Sequence, residues 1–536
     1  MKKMLAVLLT LCMLFSLAAC VGDPGSDASN TPGGGPEGSV PAGPTGSEGP
    51  TGKNPTRGGV LQVAATDPDS MLVYRWRNGG TALQAIYEGL MVFDETGTPQ
   101  PFLAESVTGD VDALTYTIQL KPGIKFHDGS ELTAEVCKWN LDMYKAEGVL
   151  SSSFFSNVES VEATGDYTVV IHLSAWDSLL PSALCRNPGY MESKLAHDTY
   201  GADYCAMNPV GTGPFKFVSY EQGVKISVEK YTDYWQGEPY LDGIDFVVYT
   251  TALVAQAALE NGDIHVWQAS DYSVARYLKD EGFNVVQSAI PYVCYAISFN
   301  CVGDDPLADL RVRQAIAYAI DRDSIGTILE DEYGIVTNQY VPSTSAFYNK
   351  DIDGYPYNVA KAKELLAAAG YPDGFTTSVV VYDNMSANDI CLILRDQLSE
   401  VGITLEVKSV DIGSYLLNID GWGSGMIAHP MTLDNGIDSQ LAAIFRQGLS
   451  SGLGVTSFLH PDDINENILK GLNSTGEESA KYFREAMRLI FDEYCMVKAI
   501  AVNSRATVQS PRVHDTGLGA VSSYSATLWK AWLEQE

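Results

Sequence analysis

Two extended apolar runs limit what this chain can fold into. "AIPYVCYAISFN" covers Ala289 to Asn300, and "VKAIAVNS" covers Val497 to Ser504. Both read as stretches where the chain crosses between lobes. A chain that leaves one lobe and later returns builds a two-lobed body, and the cleft between the lobes is where a small molecule binds. Around these runs helices and strands alternate. "LTYTIQL" and "YTVVIHL" have strand patterns. "TALQAIYEGL" places Leu83, Ile86, Tyr87 and Leu90 on one helical face. Further helices start at Asp309 and Asn358, the second stopping at Gly370. The "SANDICLILRDQLSEVG" helix ends at Gly402, and a Thr475–Glu478 capping box opens another. The fold class is therefore α/β.

The N-terminus carries an address. Lys2 and Lys3 precede an uncharged, mostly apolar run from Met4 to Leu17 that ends in "LAAC". The run is short for a membrane span and closes on small residues, which predicts a signal peptide over residues 1–19. Its ending resembles the lipobox of bacterial lipoproteins. That resemblance implies an acylated Cys20 that holds the chain at the outer face of the membrane through its lipid. Residues 20–57 are Gly, Pro, Ser, Thr and Asp with almost no large apolar side chain, too little to offset the entropy of ordering, so they read as a tether.

Beyond the tether, the 536-residue chain has room for two or three domains with large cores. A net charge of −33 repels nucleic acid and anionic lipid, so neither is expected as a direct partner of the folded part. Seven cysteines follow Cys20, widely spaced and without a CxxC, which argues against zinc. An odd number leaves at least one unpaired; Cys185 with Cys205, or Cys294 with a distant partner, could form a disulfide outside the cell, and spacing does not fix the pairing. Motifs of catalysis and cofactor binding are scarce: no HExxH, Walker A or dinucleotide fingerprint occurs. His127 and His265 are isolated and read as structural hydrogen-bonding groups. The expectation is a binding protein without a cofactor. A surface hydrolase with unmarked acids and a peptide-sensing surface protein remain as alternatives.

"IYEGLMVFDETGTPQPFLAES", "LTYTIQLKPGIKFHDGSELTAE" and "NPVGTGPFKF" follow one another in this order. They continue into "YWQGEPYLDGIDF", "ALENGDIHVW", "LADLRVRQAIAYAIDRDSI" and "YNVAKAKELLAAAGYPDGF". In this order, behind a lipobox, the chain resembles the solute-binding proteins of peptide/nickel-type ABC importers, family 5. The resemblance implies a bilobal periplasmic-binding fold with two hinge crossings and an extra subdomain in the first lobe. It places lobe 1 at 58–292 with the subdomain at about 81–204, lobe 2 at 293–502, and a return to lobe 1 at 503–536. It also implies capture of a peptide or similar solute by hinge closure, then delivery to a permease driven by an ATPase.

Carried onto this sequence, the resemblance puts the segment with Arg75, Trp76 and Arg77 against the ligand. Trp267 and Gln268 follow from the strand after "GDI", Tyr292 and Tyr295 from the first crossing, and Trp422 from the "GWGSGM" loop. Trp and Tyr offer flat apolar walls with a polar edge. Peptide-binding relatives place an aspartate three residues after the tryptophan matched by Trp422, and here that position is Gly425. Two arginines gained and one acid lost suggest a ligand with a carboxylate or other anion at that end. The alternative is that the arginines pair with the protein's own carboxylates.

Overall fold

Alternating and fully apolar runs become strands for different reasons. "TYTIQL" and "TVVIHL" bury one face and wet the other. "VKAIAVN" is buried at every position, because neighbours cover both faces of its sheet. The computed structural model describes residues 54–535 apart from 69, 76–80, 149–153, 270–271, 330–333, 383–384, 434–435, 450–452 and 522–527. A seven-stranded sheet runs in the order Asn284–Gln287, Ala506–Gln509, Val266–Ala269, Val60–Ala65, Gly243–Val248, Lys225–Lys230, Phe215–Glu221. A six-stranded sheet runs Gly334–Val336, Val497–Asn503, Val293–Phe299, Met426–Thr432, Thr376–Tyr382, Thr404–Val410. A four-stranded antiparallel sheet joins Ala104–Asp110, Thr115–Leu120, Thr168–Leu173 and Val158–Ala163. Helices cover the two large sheets, giving a bilobal α/β fold. One apolar core draws on residues 294–502 alone, and a second on 61–266 with 513–533.

The chain passes between the large sheets at 288–292 and again at 504–505, and the two crossings lie side by side. Tyr292 N donates to Asn503 O (2.7 Å), and Ser288 N to Arg505 O (2.9 Å). Beyond them the Val293–Phe299 and Val497–Asn503 strands pair antiparallel, Val293 opposite Asn503. The 520–521 backbone lies against the first crossing, with Ala289 N on Ala520 O and Ile290 N on Val521 O.

Several of the short motifs meet in one buried network. Glu88 of "YEGL" accepts from Thr212 Oγ1 (2.9 Å), Tyr234 Oη (2.5 Å) and Trp235 Nε1 (3.0 Å). Burial pushes its carboxyl up to about 7 in spite of these donors. His127 of "KFHDG" bonds Gly213 O through Nε2 (2.9 Å), and burial pushes it down to about 4. A Cβ on Gly211 would stand 2.0 Å from Ile86 O, so only glycine lets these backbones approach. These residues build scaffold, as expected for His127.

Other expectations change. The "TALQAIYEGL" helix shrinks to one turn, Leu83–Ile86, and Tyr87 is already extended. Ile86 O accepts from Gly213 N (2.8 Å), and Gly89 forms a bridge with Tyr190, so the chain there is claimed by neighbouring backbone rather than by its own helix. Asp309 and Asn358 cap their helices as expected, accepting from Arg311 N and Lys361 N. The Thr475 side chain makes no cap bond, and Gly476 beside it is left-handed (φ +58°). Neither disulfide left open by the sequence forms: Cys137, Cys185, Cys205, Cys294, Cys301, Cys391 and Cys495 are all free thiols, each buried in packed core.

Candidate functional site

The crossings bring together side chains from both sheets. Arg505, half-buried at the second crossing, lays its guanidinium over the Tyr292 ring, 3.6 Å from the centroid. Its Nη1 donates to Gln268 Oε1 (2.7 Å), reaching into the seven-stranded sheet. Tyr292 is clamped through its backbone, with N on Asn503 O and O accepting from Leu433 N (2.7 Å). Tyr272 Oη donates to Ser504 O. The Asn503 side chain is fully buried, and neither of its polar atoms has a hydrogen-bond partner.

Of the residues expected from sequence, Gln268 and Tyr292 are joined here by Arg505, which that reading missed. The signal was the "NSR" that ends the second run. Tyr295 follows on the Val293–Phe299 strand and lines a small cavity with Ala387, Ile390, Ala428 and His429. Trp76, Arg77 and Cys20 lie outside the described residues.

Four expectations change. Trp267 precedes Gln268 on a strand, so the two point to opposite faces, and Trp267 packs into an apolar cluster with Ala255, Leu259, Ala275 and Leu278. Trp422 is buried edge-on to Phe458, with Nε1 on Gly425 O (3.3 Å). It sits at the wrong end of its strand: Met426 opposes Phe299 while Thr432 opposes Val293, so the crossing lies about 20 Å away at roughly 3.4 Å per residue. Gly425 is left-handed (φ +73°), and a Cβ there would stand 2.2 Å from Ser378 O, so no aspartate fits and its absence says nothing about the ligand. Arg75 lies in a turn rather than a strand, its N bonded to Leu72 O (3.1 Å). Its guanidinium pairs with Glu147 (3.0 Å) and Asp203 (4.0 Å), the internal pairing raised as the alternative.

A second polar region couples the 437–445 helix to the segment around Asp177. Burial pushes the Asp438 carboxyl up, and the Arg186 charge opposes it. Asp177 is pushed up by burial too, with Arg446 opposing. Trp176 Nε1 and Ser178 Oγ are buried without hydrogen-bond partners. Among the described residues, no group of three His, Cys, Asp or Glu is placed to hold a metal, and no helix is long and apolar enough to cross a membrane.

Residues 98–445 match the family model described as bacterial extracellular solute-binding proteins, family 5 Middle. The glutathione-binding protein GsiB of Pectobacterium atrosepticum is 33% identical over 349 residues, 64% of this chain and 67% of that one. Among solved structures, the ABC transporter substrate-binding protein CtaP of Listeria monocytogenes superposes with a TM-score of 0.78 at 24% identity, covering 90% of this chain and all of that one. The DppA binding protein of Helicobacter pylori, in complex with the peptide STSA, gives 0.72 at 25% identity over 90% and 99%.

Proposed function

The chain belongs to the bacterial extracellular solute-binding proteins, family 5, and on that premise we propose that it is the lipid-anchored receptor of an ABC importer for short anionic peptides of the glutathione type. The family is a class of binding proteins rather than enzymes. Residues 58–292 with 503–536 form one lobe and 293–502 the other. Solute enters between them, the lobes close about the crossings, and the loaded receptor delivers to the permease and its ATPase. The observation that carries this reading is the adjacent pair of crossings, with Tyr292, Arg505 and Gln268 at their junction. The relatives named for glutathione binding and the peptide held by a structural neighbour support the ligand class.

Native mass spectrometry of the protein purified without denaturation tests the ligand class. A co-purifying peptide mass that exchanges with added glutathione is expected. A retained sugar or metal chelate that glutathione does not displace refutes it. Anchoring rests on the "LAAC" ending at Cys20. Cys20→Ala is expected to move the protein into the soluble fraction, and a variant that stays with membranes refutes the anchor.

A further inference from the structure

Asn503 is the last residue of its strand before the second crossing, and it is 0% exposed. Neither its Oδ1 nor its Nδ2 has a hydrogen-bond partner. The other buried asparagines among the described residues are paired. Asn140 donates to Val136 O and Glu192 O and accepts from Glu192 N. Asn300 donates to Val302 O and Gly423 O, and Asn349 donates to Arg484 O and accepts from Asp351 N. The register shows why Asn503 differs. Residues directly opposite in an antiparallel pair share a face, and those opposite Asn503 are Gly334, which has no side chain, and Val293, which is apolar. The main chain of the same residue is held, since Asn503 O accepts from Tyr292 N (2.7 Å) at the first crossing. A turn of one lobe on the other re-sets the backbone at 288–292 and 504–505, and Asn503 adjoins both. A buried amide with nothing to bond to disfavours the conformation that seals it in, whereas an apolar side chain in its place carries no such penalty.

We propose that Asn503 is a conformational device. Its unpaired amide raises the free energy of the hinge angle seen in this structure relative to a second angle, in which water or crossing backbone pairs the amide. It thereby sets how much of each angle the solute-free receptor populates. This goes beyond the importer reading and rests on one part of it, the crossings acting as a hinge. A single unpaired group is enough to predict that removing the amide raises the ratio of this angle to the other by at least about fivefold.

Spin-label distance measurement tests this without a ligand. Leu253, 75% exposed in the lobe of the seven-stranded sheet, and Leu417, 87% exposed in the other, supply label sites as Leu253→Cys and Leu417→Cys. The background is the Cys20→Ala protein, in which the described cysteines are all buried. Distances are compared between the Asn503 protein, Asn503→Val, which is close in size and suited to a strand, and Asn503→Ala, which cannot crowd its neighbours. Each is checked for folding by thermal melt. Both variants are expected to shift population toward the 253–417 separation of this structure, by at least about fivefold in the ratio. A distribution unchanged in both, as a buried water pairing the amide would give, overturns the proposal. So does a shift away from that separation. Should one variant not fold, the other decides. Added glutathione separates the proposal from the hinge it rests on. A distribution that glutathione moves and the variants do not leaves the hinge standing and removes the proposal. One narrow separation, the same in every protein with and without glutathione, removes both.

Discussion

Glu192 fits its surroundings less well than any other carboxylate described. It is fully buried, and neither oxygen has a nitrogen or oxygen donor, leaving the weakly donating Cys205 thiol beside it. Burial pushes its carboxyl up to about 8, and the Cys205 thiol and the Arg75 charge offset that only partly. Tyr74, Tyr87 and Tyr144 are close enough to feel its charge. In the unfolded chain the same group titrates near 4.5. The folded state therefore holds a proton that the unfolded state has released, and this contribution is fully present below about pH 4.5 and lost as pH rises through about 8. Glu192→Gln keeps the shape and removes the titration. Thermal or denaturant unfolding at pH 5, 6.5 and 8 should show the variant more stable than wild type at pH 8, by about 1–3 kcal/mol. The gap should shrink toward pH 5. Glu88 and Lys498, whose pKa values also sit near 7, titrate in both proteins and cancel from the difference. A gap that does not change with pH would show that Glu192 is not held protonated. None of this is legible in "GYMESK", where a glutamate before a serine N-cap reads as an exposed polar residue.

At the scale of elements, what the sequence shows well is whatever the local chain decides by itself. The apolar run of Val497–Asn503 and the caps at Asp309 and Asn358 are written in a few neighbouring residues, and they form as read. Misreadings occur where a distant segment intervenes. "TALQAIYEGL" has a helical period, but Gly213 N, over a hundred residues away, takes the Ile86 carbonyl. Trp267 and Gln268 are adjacent, and alternation alone separates their faces; which of them is buried depends on the helices Ala252–Asn261 and Tyr272–Asp280 that pack over Trp267. Trp422 illustrates a third kind of gap. The loop before a strand and the loop after it look equally good as binding loops, and the antiparallel register with Val293–Phe299 is what puts the first far from the crossing. Arg505 escaped notice because its partners, Tyr292 and Gln268, lie more than 200 residues upstream.

The whole molecule turns on the small number of backbone bonds at its waist. Sheets are stiff and cores close-packed, so relative motion of the two halves is absorbed by a few residues between elements. Here those are 288–292 and 504–505, each flanked by strands locked into opposite sheets. Tyr292 and Arg505 sit within these segments, so on the proposed reading a solute held between the two sheets would act on the hinge. Asn503 at the same place has a buried amide with no partner, a cost of about 1–3 kcal/mol per unpaired group that a different hinge angle or a bound solute can relieve. A ligand shifts the equilibrium between open and closed forms by its difference in affinity for the two, and one that touches both sheets favours the closed form. Small-angle scattering of the unacylated Cys20→Ala protein should therefore show a smaller radius of gyration at saturating glutathione than without it. An unchanged radius in saturated wild type would mean that solute enters a preformed, rigid cleft, and the crossings would then be connections rather than hinges.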